Sequence, residues 1–134
     1  MSANVFITEM IEKYPNVFAK KADDHQPFQL FGIECGEGWY TLLNNLFACI
    51  NFHLEYVNRN KSENKKTPFV LTQVKEKFGT LRFYYEGGDC KIHGMVQMAE
   101  AMSGFICEEC GNPGKLRRGS WLHTACEDHT RGKE

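Results

Sequence analysis

Apolar positions change their period several times along this chain, and each change predicts an element. Phe6, Met10 and Tyr14 recur at helical spacing over residues 3–14, and Pro15 follows as a stop signal. The polar run "KADDHQP" (21–27) reads as a loop, and "FQLFGIECG" reads as a short strand or an extended entry to the next element. Between 39 and 57, Trp39, Leu42, Leu43, Leu46, Ile50, His53, Leu54 and Val57 form one wide stripe, which predicts an amphipathic helix. Gly36 and Gly38 just before it suit a turn into the helix N-terminus. The run "NRNKSENKKTP" (58–68) offers no apolar anchor and reads as a mobile loop. Alternation then takes over. Val70, Thr72 and Val74, followed by Leu81, Phe83 and Tyr85 beyond a Gly79 turn, predict a β-hairpin over 69–86, ended by Gly87 and Gly88. Helical spacing returns over 92–105 through Met95, Met98, Ala99, Met102 and Phe105, and this helix leads straight to Cys107.

These elements imply an α+β fold, with a β-hairpin or small antiparallel sheet packed by two or three helices. The expected organisation is a core over 1–105 and a finger over 106–134.

Composition narrows the class. At 134 residues, with 42% hydrophobic and 25% charged residues, the chain has globular values and enough length to bury a core. A net charge of −1 argues against binding governed by phosphate neutralisation alone, so any nucleic-acid role needs a local basic patch. Glu9, Glu12 and Lys13 fall where a secretory signal is apolar, and no run approaches the ~18 apolar residues of a membrane span. A cytoplasmic protein with no membrane partner is expected, and six cysteines in a reducing compartment then favour thiols or metal ligands over disulfides.

The terminal segment "ICEECGNPGKLRRGSWLHTACEDH" supplies the ligands. Cys107-x2-Cys110 and Cys126-x2-His129 are separated by 15 residues, the spacing of structural zinc sites. Two thiolates two residues apart reach one ion from a tight turn, and a second such pair completes a tetrahedron. Gly111 occupies the knuckle position that commonly needs positive φ. Asn112-Pro113-Gly114-Lys115 fits a type II turn, and "KLRRGSWLHT" reads as two short strands around Gly119-Ser120. The fourth ligand is His129 or, through His123-x2-Cys126, His123. Four protein ligands leave no open position for water, and three thiolates weaken the Lewis acidity of the ion, so Zn2+ is expected to be structural. With only eight residues after Cys126, the finger is a zinc ribbon or a treble clef with a stunted last helix. Glu108, Glu109, Glu127 and Asp128, interspersed among the ligands, read as solvated.

Other candidates carry less chemistry. Cys90-x2-His93, with Cys35 as a partner, is a conceivable second metal site, and the bland reading is a loop thiol and a helix-start histidine. Cys49 reads as a small core filler, His53 as a satisfied core residue, and Asp23, Asp24 and His25 as a solvated turn. Lys75, Lys77 and Arg82 share the hairpin with Phe78, Phe83, Tyr84 and Tyr85, which could stack bases on an open sheet. Against this, Phe83 and Tyr85 can face the core while Arg82 and Tyr84 face solvent, and that reading is preferred. Lys115, Arg117 and Arg118 form a small basic patch on the finger hairpin. No phosphate loop, nucleophile elbow or dinucleotide fingerprint is present. A His123-dependent, metal-assisted nuclease would need a further ligand set for a hydrolytic ion, and the sequence offers none.

Taken together, "ECGEGWYTLL", "QVKEKFGTLRFYY" and "CEECGNPG…WLHTACEDH" resemble a group of small, uncharacterised zinc-finger-containing proteins of tailed phages and prophages, over roughly residues 30–129. In that group the finger positions correspond to Cys107, Cys110, Cys126 and His129. The resemblance implies a phage-encoded accessory protein in the host bacterial cytoplasm and brings no established activity. The expected function is non-enzymatic binding of a host macromolecule. A host protein is the first choice, in the manner of inhibitors of defence or regulatory systems, and nucleic acid is the alternative.

Overall fold

A computed structural model describes residues 2–18 and 32–130. The expected loop at 21–27, with Asp23, Asp24 and His25, lies outside these residues, as does the first part of "FQLFGIECG". Three α-helices are present among the described residues: α1 (Ala3–Lys13), α2 (Tyr40–Asn58) and α3 (Cys90–Ser103). Strands β1 (Ile33–Glu34), β2 (Phe69–Lys77) and β3 (Thr80–Gly87) form one sheet in that order, and β4 (Lys115–Arg118) pairs with β5 (Leu122–Ala125) in a second. No helix among the described residues is long and apolar enough to cross a membrane.

The main sheet is mixed, where an antiparallel one was expected. β1 runs parallel to β2, with Ile33 beside Val74 and Glu34 beside Lys75. Its chain returns to the sheet through α2, the crossover that a parallel pair requires. Two residues are too few to show an alternation, so periodicity could not have found this strand. β2 and β3 are antiparallel, with a register shift between Leu71 and Gln73. That irregularity at Thr72 corrects the expected Val70, Thr72, Val74 face. Phe69, Leu71 and Val74 are the buried set, since an extra residue in one strand flips the side chains beyond it.

Helices cover one face of this sheet. Trp39, Leu43, Phe47 and Ile50 are fully buried against Leu71, Val74, Leu81 and Phe83, and each large apolar side chain removed from water contributes about 1.5–3 kcal/mol. α1 is capped by Ser2, whose Oγ accepts from the Val5 N–H, and Phe6 stacks on Tyr40 with ring centroids 4.1 Å apart. α3 starts earlier than the apolar spacing predicted because Asp89 caps it. One carboxylate oxygen accepts from the Ile92 N–H at 3.1 Å, and the other lies 2.7 Å from His53 Nε2. α3 also covers an edge strand. Ser103 Oγ accepts from the Leu81 N–H at 2.8 Å, and Glu100 accepts from the Phe83 N–H at 2.9 Å. The 58–68 segment is cinched by Asn58, whose side chain donates to the Thr67 carbonyl and accepts from its N–H.

Candidate metal centre

The finger grows from the end of α3. A turn at Gly104 and Phe105 leads to a knuckle in which the Cys107 N–H donates to the Asn112 carbonyl (2.8 Å) and the Gly111 N–H to the Cys107 carbonyl (2.9 Å). Gly111 has φ +83°, as its position in the knuckle predicted. Gly114 has no positive φ, which corrects the expected type II turn. Its hydrogen makes room instead for Ala125, whose backbone carbon would lie 2.9 Å from an added Cβ. The β4–β5 hairpin follows, and a 3-10 turn at Glu127–His129 brings His129 back to the knuckle.

This path gathers the donor atoms of Cys107, Cys110, Cys126 and His129 within 4.8 Å of one another. His129 Nδ1 lies 3.7 Å from Cys107 Sγ and 3.2 Å from Cys126 Sγ, and the sulfurs of Cys110 and Cys126 are 3.7 Å apart. Zinc–ligand bond lengths set tetrahedral edges of about 3.8 Å between sulfurs and about 3.5 Å between sulfur and nitrogen. The residues therefore fit a zinc ion, held through Nδ1 with the proton of the imidazole on Nε2.

Electrostatics agree with the geometry. Burial opposes ionisation of Cys107, but N–H groups of Cys126, Cys110 and Glu109 aimed at its sulfur more than offset this, and the thiol is pulled down to about 6. For Cys110 the Asn112 N–H favours the thiolate, yet desolvation and the neighbouring sulfurs of Cys107 and Cys126 push the thiol above its ordinary value. One thiolate is stabilised and the next is suppressed by it. A divalent cation relieves that repulsion and lets all the sulfurs ionise.

The knuckle is tied directly to the core. Gly38 N–H donates to the Glu108 carbonyl at 2.7 Å, Gly36 N–H donates to the Glu108 carboxylate at 2.8 Å, and the Trp39 indole donates to the Ile106 carbonyl at 2.8 Å. A Cβ on Gly38 would sit 2.2 Å from the Cys107 carbonyl oxygen, and one on Gly36 would sit 2.4 Å from that of Glu108. The two glycines thus serve close approach of the knuckle as well as the turn into α2. Glu108 is 7% exposed and corrects the solvated reading: its side chain fastens the two segments. Glu127 also has a partner, the Arg117 guanidinium at 3.2 Å; Glu109, Glu127 and Asp128 are all exposed to solvent.

His123, the alternative fourth ligand, is not part of the cluster. It is buried, and its Nδ1 lies 3.0 Å from the Trp121 carbonyl. Arg117 is 4% exposed and donates through Nε to the Ala125 carbonyl, so the basic patch on the finger reduces to Lys115 and Arg118. Burial of Arg117 follows from the hairpin register, which pairs it with His123 on the inner side. Lys75, Lys77 and Arg82 line the hairpin, with Lys75 directly opposite Arg82. Cys35, Cys90 and His93 are not brought together. The finger ligands form the one metal-competent group found among the described residues. His93 Nδ1 meets the Tyr85 hydroxyl, and burial followed by the charges of Glu108 and Glu76 pushes the Cys35 thiol up to about 12. Cys49 is exposed rather than a core filler, because it falls on the solvent side of α2 beside α3.

No protein-family model, curated protein or solved structure matches this chain.

Proposed function

We propose that the protein is a zinc-binding, non-enzymatic accessory protein of phage type that binds a host macromolecule, a host protein in the first instance. The observation that carries this reading is the closed donor set of Cys107, Cys110, Cys126 and His129, fastened to the core through Glu108 and Trp39. Four protein ligands leave the ion no position for a reacting water, so its contribution is the shape of the finger. His123, the one histidine suited to a nuclease role on the finger, is buried against the Trp121 carbonyl, which weakens the nuclease alternative.

A protein partner is favoured by the surface between α2 and α3. Leu42, Cys49, Met95, Met98 and Met102 line an open apolar groove of about 230 Å³ there. Flexible thioethers adapt to varied apolar side chains, and such surfaces mark protein contacts. Tagged protein recovered from infected host cells should carry a stoichiometric host protein, and Cys126→Ser should lose it. The reading fails if no partner is retained while the purified protein cuts nucleic acid.

A further inference from the structure

Towards the tip of the β2–β3 hairpin, local structure is suboptimal at two places on the same short stretch. Phe78 and Gly79 form a two-residue turn with φ +55° and +87°, the mirror-type turn that suits hairpin twist. Asparagine or aspartate is favoured at its first position, and a bulky ring there is an outlier. Phe78 gains no burial in exchange, being 64% exposed. Beyond the Lys77–Thr80 and Glu76–Leu81 pairs, Lys75 stands directly opposite Arg82, an arrangement of like charges that disfavours pairing. Arg82 Nε is buried and lacks a hydrogen-bond partner among the described residues. Glu34 flanks Lys75 on its other side, where its carboxylate accepts from Gln73 at 3.4 Å.

The same face presents rings and cations in alternation. Lys75 Nζ lies 5.8 Å from the centre of the Tyr84 ring, and Lys77 Nζ lies 5.5 Å from that of Phe78. Tyr84 is 40% exposed and points away from the core that takes Phe83. Positions that break a local folding rule without gaining burial are where function is expected. Cations answer phosphates, and exposed rings answer bases; an acidic peptide would leave the rings without stacking partners. We infer that the outer face of the β2–β3 hairpin binds single-stranded nucleic acid, with Lys75, Lys77 and Arg82 on the phosphates and Phe78 and Tyr84 stacking bases. This surface lies away from the α2–α3 groove and does not depend on a protein partner there.

Fluorescence anisotropy with labelled oligothymidylate and oligouridylate of about 12 nucleotides tests it. Binding to either should weaken with salt with a log–log slope of about −2, as three cations on a single strand require. Phe78→Asn should weaken binding about tenfold while raising the melting temperature by about 3 °C, because it suits the turn and removes the ring. Arg82→Gln should make the salt slope shallower by about 0.7 without loss of fold. No binding by the zinc-loaded protein, undiminished binding by Phe78→Asn, or equal binding of polyglutamate would each overturn the inference.

Discussion

The indole nitrogen of Trp39 donates to the backbone carbonyl of Ile106 across 2.8 Å, joining the first turn before α2 to the last residue before the knuckle. Trp39 is fully buried, so one side chain fills the core and satisfies the polar backbone of the finger. Trp39→Phe keeps most of the apolar volume and leaves that carbonyl unpaired. It should cost about 1–3 kcal/mol in chemical denaturation, with metal still bound. Unchanged stability would mean that the contact is idle.

Gly38→Ala and Gly94→Ala should act in opposite directions. An added Cβ at Gly38 meets the Cys107 and Glu108 backbone at 2.2–2.5 Å, whereas nothing lies within 4 Å of one at Gly94 in α3. Gly94→Ala should stabilise by about 0.5–1 kcal/mol through lower unfolded-state entropy. Gly38→Ala should displace the knuckle and lower zinc affinity at least about tenfold in competition with a chromogenic chelator, as loss of the groups that orient metal ligands commonly does.

The thiols outside the cluster should separate by reactivity. Burial, then the Glu108 and Glu76 charges, hold the Cys35 thiol up to about 12, while Cys49 and Cys90 are exposed. Alkylation of the folded, zinc-loaded protein at about pH 8 should label Cys49 and Cys90 and spare Cys35. Because the folded value is raised, this group's contribution to stability is complete below the unfolded thiol value of 9.0 and is lost as pH climbs towards 12. Cys35→Ser should flatten the alkaline limb of a stability–pH profile.

At the acid end the sign reverses. Desolvation opposes ionisation of Asp89, but hydrogen bonds from His53, the Ile92 N–H and the Lys91 N–H, together with the His53 charge, hold its carboxyl below the ordinary value. Its contribution is therefore present above the unfolded value of 3.8 and vanishes as pH falls through the folded one. Asp89→Ala removes the α3 cap and should cost about 1 kcal/mol at neutral pH, an effect that fades in acid.

Much of this architecture can be read from spacing alone, because long periodic segments announce themselves. The α2 stripe, the hairpin about Gly79 and the two ligand pairs are legible since each rests on a repeated local interval. What escaped the sequence is non-local. Two residues of β1 carry no period, and the bulge at Thr72 exchanges faces without changing composition. Glu108 looks like any acid between ligands until Gly36 and Gly38 are placed against it. Arg117 looks like one of several cations until the register sets it inward, opposite His123. A glycine pair followed by tryptophan was the available clue, and its meaning depends on what approaches it in space.

Native mass spectrometry of reduced protein, purified without added metal, tests the central claim most directly. A structural centre built from Cys107, Cys110, Cys126 and His129 predicts one zinc ion per chain, absent from Cys126→Ser and still present in His123→Ala. A metal-free mass for the intact, folded chain, or zinc that depends on His123 and not on Cys126, would contradict it.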